Sequence, residues 1–192
     1  MDYVESEKID YKLQFKKMGA EDIKFYMLNT LKGLDLAHSK GIIHRDIKPY
    51  NILFDPIKKS LSIIDWGLAE FYKPGTEYNT KVAALYYKAP EILLEYAKYD
   101  YSLDIWSLGC IFASLIFQVD PFFQGKDNDD QLLKIAKVVG TDEIYTFIEK
   151  YNIQVHDTVF ELLRKYSFVF KALIIGDQRK IGKSSVRLIM SK

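Results

Sequence analysis

A polar segment enclosed by apolar residues, residues 44–51, constrains this chain more than any other stretch. Apolar pairs lie directly on both sides of it, residues 42–43 before and residues 52–53 after. Short apolar runs of this kind predict buried strands, so the charged segment between them must be a loop. Because such a loop presents its side chains from a rigid base, we predict that the chemistry of the protein is located here.

The order of polar residues in the loop matches a catalytic pattern. His44, Arg45 and Asp46 are followed by Asn51 after four intervening residues, which fits the form H-R-D-x-x-x-x-N of the protein-kinase catalytic loop. An Asp-x-Gly turn, residues 65–67, follows after a short predicted hairpin and resembles the metal-binding second half of that signature. A charged turn that matches by accident is the alternative, and the second motif at the right separation argues against it.

Helical periodicity dominates the rest of the chain. The spacing predicts helices over residues 20–40, 102–117, 129–139 and 142–151, and a strand over residues 61–64. Residues 102–117 are apolar around most of the helix circumference, which is typical of the central buried helix of a lobe. Asp104 within this helix is a carboxylate that needs partners if it is buried. Residues 67–90 have no periodicity, and we interpret them as a functional loop.

Composition excludes several classes of protein. Cys110 is the only cysteine, so no internal disulfide can form and a reducing compartment is expected. No apolar run is long enough to span a bilayer and the first residues are acidic, so we expect no membrane partner and no signal peptide. Residues 164–192 carry eight Lys and Arg against one Asp, net +7, which we interpret as a solvated face rather than a specific nucleic-acid site. We therefore expect a soluble intracellular protein, cytoplasmic or nuclear.

These motifs together resemble the casein kinase II catalytic subunits, which are acid-directed Ser/Thr protein kinases. Trp66 after Asp65 is a mark of that family, because most kinases have Phe there. Residues 67–72, 99–110 and 121–128 also resemble it, and the similarity covers about residues 1–165. The resemblance implies a mainly α-helical kinase C-terminal lobe in which a short β-hairpin carries the catalytic loop. We treat residues 1–192 as one such domain, from the interlobe hinge onward.

The resemblance also implies roles for individual residues, and the expected cofactors are ATP, or GTP in its place, and Mg²⁺. Asp46 would be the catalytic base and Lys48 would neutralise charge on the transferred phosphoryl group. Asn51 and Asp65 would hold magnesium, because hard oxygen ligands suit this ion. The remaining cofactor contacts would be Leu53 and Ile64 beneath the adenine, and the backbone of Asp2 and Val4 at its edge.

Four further residues would be structural. Arg45 would brace the activation segment, and Asp104 would accept hydrogen bonds from the catalytic-loop backbone. Glu91 would pair with Arg179. His44 is interpreted as a packed core histidine, and no role is assigned to the other two histidines, His38 and His156.

Acidic protein substrates are the expected partners. Lys81 and Lys88 occupy two of three basic positions with which the family reads acidic residues near the target. Leu85 replaces the third, and Tyr50 stands where the family has His. We therefore expect the preference for acidic substrates to survive in weakened form.

The 192 residues contain no G-x-G-x-x-G motif, so the glycine-rich upper lobe of a kinase is expected to be absent. We therefore expect weak Mg-ATP binding, turnover close to background, and no docking of the family's regulatory β subunit, which binds that lobe. Three functions stay open. They are a Ser/Thr kinase lobe, a non-catalytic substrate-binding module or gene remnant of such a kinase, and a P-loop nucleotidase.

The last alternative rests on the chain's C-terminal segment. Gly176 is followed by Gly182, Lys183 and Ser184, but five residues separate the two glycines where a P-loop needs four. Residues 166–192 could equally be a shortened version of the late kinase helices or an unrelated tail.

Overall fold

The structure is a computed structural model that describes residues 10–155, 159–161 and 163–164. The chain divides into two compact units, Met1–Phe123 and Gln124–Lys192. The expectations for Asp2, Val4, His156 and Arg179, and for the P-loop-like segment, lie outside the described residues. The part of the chain that is described is mainly helical, as predicted.

The described residues of the first unit form four helices. They are α1 (Tyr11–Lys17), α2 (Ala20–Ser39), α3 (Pro90–Leu93) and α4 (Ser102–Phe117). The bounds of α2 and α4 confirm the periodicity to within one residue. The sequence gives no prediction for α1, which is short. It begins where the Asp10 side chain accepts a hydrogen bond from the Lys12 amide at 2.9 Å.

In the part of the chain that the structure describes, four short strands form two separate antiparallel pairs. Strand β1 (Ile42–Ile43) pairs with β4 (Glu70–Phe71), and β2 (Ile52–Asp55) pairs with β3 (Ser60–Ile63). The expected hairpin is therefore present as β2–β3, but it follows residues 44–51 instead of enclosing them. The strand that precedes this loop belongs to the other pair, because β4 returns from the next segment to cover it. Anchoring in two different sheets fixes both ends of the loop.

Helix α4 has more buried residues than any other described helix, eight of its sixteen. This confirms the prediction of a buried helix, although one of its faces is exposed. Ile105, Phe112 and Ile116 are 46%, 44% and 52% exposed, and their spacing places them on one face. The opposite face holds the buried positions, Asp104 among them.

The irregular segment between β4 and α3 packs into the core despite its lack of periodicity. Its Val82 and Ala89 join one buried cluster with Ile43 of β1 and Leu103 of α4. A short 3-10 turn, Leu85–Tyr87, lies in this segment just before α3. The segment is thus held against the same core that supports residues 44–51.

The second unit contains α5 (Asn128–Val139) and α6 (Asp142–Tyr151). Both confirm the predicted helices. The Asp127 side chain caps α5 by accepting from the Asp130 amide at 2.9 Å, and Gly140 with φ +99° ends it. No helix among the described residues is long and apolar enough to cross a membrane.

Candidate active site

The backbone of the loop is held by a single buried carboxylate. Asp104 of α4 is fully buried, and its two oxygens accept hydrogen bonds from the His44 and Arg45 amides, each at 2.8 Å. These are the backbone contacts that the resemblance implied. Arg45 has φ +67°, a left-handed conformation that non-glycine residues rarely adopt. The two hydrogen bonds fall where the backbone turns into that conformation.

His44 is a packed, neutral imidazole. Its Nε2 lies 3.1 Å from the Ile64 carbonyl, which can only accept, while its Nδ1 accepts from the Asp46 amide at 3.2 Å. Burial lowers the pKa of His44, and this outweighs the Ile64 carbonyl and the nearby carboxylates, which raise it. The ring also meets the edge of Trp66 at a centroid distance of 4.6 Å. His44 thereby joins the loop to the start of the Asp65 turn.

The Asp46 carboxylate is nearly buried and is held by two donors. Its Oδ2 accepts from Lys48 Nζ at 2.6 Å and from Asn51 Nδ2 at 3.0 Å. The same Asn51 nitrogen also donates to the Asp46 carbonyl at 2.8 Å. Both side-chain bonds to Asp46 end on Oδ2, so Oδ1 is left to accept a hydrogen bond from a substrate hydroxyl.

The two predicted magnesium ligands lie at the same end of the β2–β3 hairpin. Asn51 immediately precedes β2, and its carbonyl accepts from the Ile64 amide at 2.9 Å, one residue before Asp65. Asp65 has φ +59° and an exposed side chain. Because Asn51 uses its amide nitrogen twice, its oxygen Oδ1 remains for a cation.

This donor set fits magnesium better than a metal held by protein alone. No group of three or more His, Cys, Asp or Glu side chains in the described part of the chain could hold a metal ion. Magnesium keeps several waters and is usually bound by one or two carboxylates together with substrate phosphates. One amide oxygen and one carboxylate match that requirement.

Arg45 connects the loop to the segment that follows Asp65. Its Nε donates to the Leu68 carbonyl at 2.6 Å and its Nη1 to the Tyr99 hydroxyl at 3.2 Å, and its Nη2 lies 3.7 Å from Glu70. These are the contacts that a bracing role needs. Glu70 and Tyr99 were given no role from the sequence, although both lie in segments that carry the resemblance.

The remaining predicted site residues differ in their exposure to solvent. Leu53 on β2 and Ile64 after β3 are both half-buried. Lys81 is exposed and Lys88 is half-buried, on either side of the turn Leu85–Tyr87. Burial raises the pKa of Glu91, whose expected partner lies outside the described residues.

The contact between His38 and Asp104 was not predicted from the sequence. The Nε2 atom of His38 lies 2.9 Å from Asp104 Oδ2, although no role was assigned to this histidine. The available signal was the position of His38 at the end of α2, directly before the loop, combined with the need of a buried carboxylate for donors.

One comparison with known proteins bears on this site. The family model described as protein kinase domain matches residues 1–174. The match covers the loop, the Asp65 turn, the segment before α3 and helix α4.

Proposed function

We propose, since this chain belongs to the protein kinase family, that it is a Ser/Thr kinase of casein kinase II type. Its reaction would be transfer of the γ-phosphoryl group of ATP to Ser or Thr in acidic proteins. The family uses ATP and generally Mg²⁺. The observation that carries the proposal is the Asp46 carboxylate, which Lys48 and Asn51 hold through one oxygen while the other stays available.

Each residue of the cluster has a distinct part in this reaction. Asp46 Oδ1 orients the substrate hydroxyl and accepts its proton as the oxygen attacks phosphorus. Lys48 holds the Asp46 carboxylate in place through an ion pair of 2.6 Å, and its positive charge would lie next to the transferred group. Bound Mg-ATP supplies the phosphoryl group and the charge of the cation, with Asn51 Oδ1 and Asp65 as its protein ligands.

The casein kinase II type is supported by Trp66. Its Nε1 donates to the Ile63 carbonyl at 3.1 Å, so the indole is tied to the end of β3. Since the ring also contacts His44, it is fixed between the metal-binding turn and the loop. A Phe at this position has no N–H and could not make the first of these contacts.

The test is phosphate incorporation into an acidic Ser peptide. We compare the chain as it is, the chain preceded by a casein kinase II upper lobe, and the Asp46→Asn variant of each. The bare chain should transfer phosphate at close to background and the lobe-bearing form well above it. Asp46→Asn should return transfer to background, whereas Asp35→Asn, an exposed carboxylate on α2, should leave it unchanged.

The other outcomes separate the alternatives. A lobe-bearing form that folds and binds ATP, but transfers no phosphate, would contradict the proposal and favour a non-catalytic substrate-binding module. Transfer that persists in Asp46→Asn would contradict the assignment of the base.

A further inference from the structure

A carboxylate outside the Asp46 site lies among tyrosine side chains. Asp120 follows α4 and is partly buried. Its Oδ2 accepts a hydrogen bond from the Tyr11 hydroxyl at 3.1 Å, and its Oδ1 accepts a long one from the Tyr87 hydroxyl at 3.5 Å. None of the ion pairs in the described part of the chain includes Asp120. Among these residues, its negative charge therefore has no cationic partner.

The two hydroxyls that reach Asp120 are neutral donors. Burial, followed by the Asp120 carboxylate, raises the pKa of both Tyr11 and Tyr87. Tyr26 is close enough to raise the pKa of Tyr87 as well, and its buried hydroxyl has no hydrogen-bond partner among the described residues. The cluster thus combines one negative charge with neutral hydroxyls. An ionised carboxylate has about four acceptor positions, so Asp120 can accept further hydrogen bonds.

The cluster lies beside both segments that are predicted to meet the substrate. Tyr50 belongs to the loop that carries the candidate base, and it is 65% exposed. Its ring packs edge to face against Tyr11 with a centroid distance of 4.5 Å. Tyr87 ends the 3-10 turn directly before Lys88. Asp120 is therefore connected through one tyrosine to the loop and through another to the segment before α3.

This combination suits a basic side chain. Guanidinium and ammonium groups only donate hydrogen bonds, and they are attracted to the faces of aromatic rings. Asp120 offers the acceptor, and Tyr50 offers an exposed ring. Arg matches best, because its planar guanidinium can bond a carboxylate and stack on a ring at the same time. No group of three or more His, Cys, Asp or Glu in the described part of the chain could hold a metal ion, so an organic cation is the better fit.

We propose that Asp120, Tyr11 and Tyr50 form a subsite that binds an Arg or Lys side chain of the protein substrate, near the residue that is phosphorylated. The subsite gives one basic residue a favourable place in a substrate that is otherwise acidic. Tyr50 stands where a His is typical of casein kinase II, and a Tyr cannot gain the positive charge that would repel a basic side chain. The effect on transfer rests on the proposed kinase function, but binding of the peptide does not.

The first test is binding of paired acidic Ser peptides to the chain as it is and to the form with an upper lobe. The two peptides of a pair differ at one position, which is Arg in one and Gln in the other, and this position is moved along both sides of the Ser. At one position the Arg peptide should bind about tenfold more tightly, the factor expected from one ion pair and one cation–π contact near the surface. Fluorescence anisotropy measures each Kd. Equal affinity within every pair would overturn the proposal.

Two substitutions locate the bound Arg. Asp120→Asn keeps the shape of the side chain and removes its charge, and Tyr50→Ala removes the exposed ring. Each should reduce the preference for the Arg peptide to about threefold or less. Asp35→Asn is the matched control, because it removes the same charge from an exposed position on α2 and should leave the preference unchanged.

A wild-type preference in Asp120→Asn would overturn the proposal, because the Arg would then be bound elsewhere. If this variant does not fold, Tyr50→Ala answers the same question, since it changes an exposed side chain.

The second readout is transfer to the same peptides, in whichever form of the chain shows Asp46-dependent activity. The ratio of kcat/KM for the Arg and Gln peptides should be about tenfold in wild type and should fall in Asp120→Asn. Selective binding without transfer in any form would support the subsite and contradict the kinase proposal. Asp46-dependent transfer with equal kcat/KM for both peptides of every pair would overturn the subsite and leave the kinase proposal standing.

Discussion

Individual side chains in this protein are controlled chiefly by burial and by hydrogen bonds to buried charges. Asp104 shows this most clearly, because three donors converge on it and its environment holds the neighbouring backbone. Cys110, on the same helix, shows the opposite case of a polar group that is buried and stays neutral. Burial raises the pKa of its thiol from the usual 9.0 to about 12.

The Cys110 thiol should therefore resist alkylation in the folded chain. Because the pKa of the folded thiol is about 12, the reactive thiolate is scarce at any pH well below that value. Iodoacetamide at pH 8.5, followed by mass spectrometry, should label the chain in urea and leave it unlabelled without denaturant. Rapid labelling of the native chain would show that Cys110 is accessible.

The same shift predicts a pH dependence of stability. The unfolded thiol loses its proton near pH 9 while the folded thiol keeps its proton to about pH 12. The unfolded state then binds fewer protons, so the free energy of unfolding falls as pH rises through this window. The stability difference between wild type and Cys110→Ala, measured by urea denaturation, should accordingly shrink from pH 9 upward.

Helix α4 agrees with the sequence prediction both in its extent and in being the most buried of the described helices. Its bounds follow from apolar spacing, yet one face remains exposed. Two isoleucines of this helix allow a matched comparison, because Ile111 is fully buried and Ile116 is half exposed.

Truncation of these two residues should have very different effects on stability. Ile111→Ala should lower the free energy of unfolding by about 2–5 kcal/mol, since it leaves a cavity. Ile116→Ala makes the same change in helix propensity but should cost about 1 kcal/mol or less. Urea denaturation of both variants measures the difference, and equal losses would mean that the outer face is also packed.

The prediction about substrate choice concerns two lysines in the segment between β4 and α3. In a catalytically competent form, replacing Lys81 and Lys88 together by Ala should reduce kcat/KM for an acidic peptide more than for a neutral one. Each exposed charge pair contributes only about 0.2–1 kcal/mol, so the combined discrimination should be modest. An equal loss on both peptides would indicate that these lysines hold the segment in place.

At the scale of the whole molecule, periodicity and motif order account for most of what could be predicted. Helices α2, α4, α5 and α6 came from apolar spacing, and the cluster of Asp46, Lys48 and Asn51 came from one motif. Strand pairing could not be predicted, because a two-residue strand such as β1 carries too little pattern to choose its partner.

Local sequence patterns also could not predict contacts between residues that are far apart along the chain. His38 and Asp104 are separated by 66 positions, and Arg45 meets Tyr99 across 54. Helical spacing places each of these residues on an element, but only tertiary packing brings the elements together. The order of polar residues in the loop and the contact of Asp104 with its backbone could therefore be predicted, whereas the contacts made by His38 and Tyr99 could not.

The β2–β3 hairpin has a consequence for how the chain tolerates changes in length. Asn51 and Asp65 are fourteen positions apart, yet the Asn51–Ile64 hydrogen bond and the ladder from Ile52–Ile63 to Asp55–Ser60 determine their separation in space. The turn that closes the hairpin, residues 56–59, is exposed at the opposite end. Residues inserted in that turn would lengthen the chain between the two predicted ligands without altering their separation, because loop closure adds little free energy. A reporter peptide could thus be inserted there while the distance between Asn51 and Asp65 stays the same.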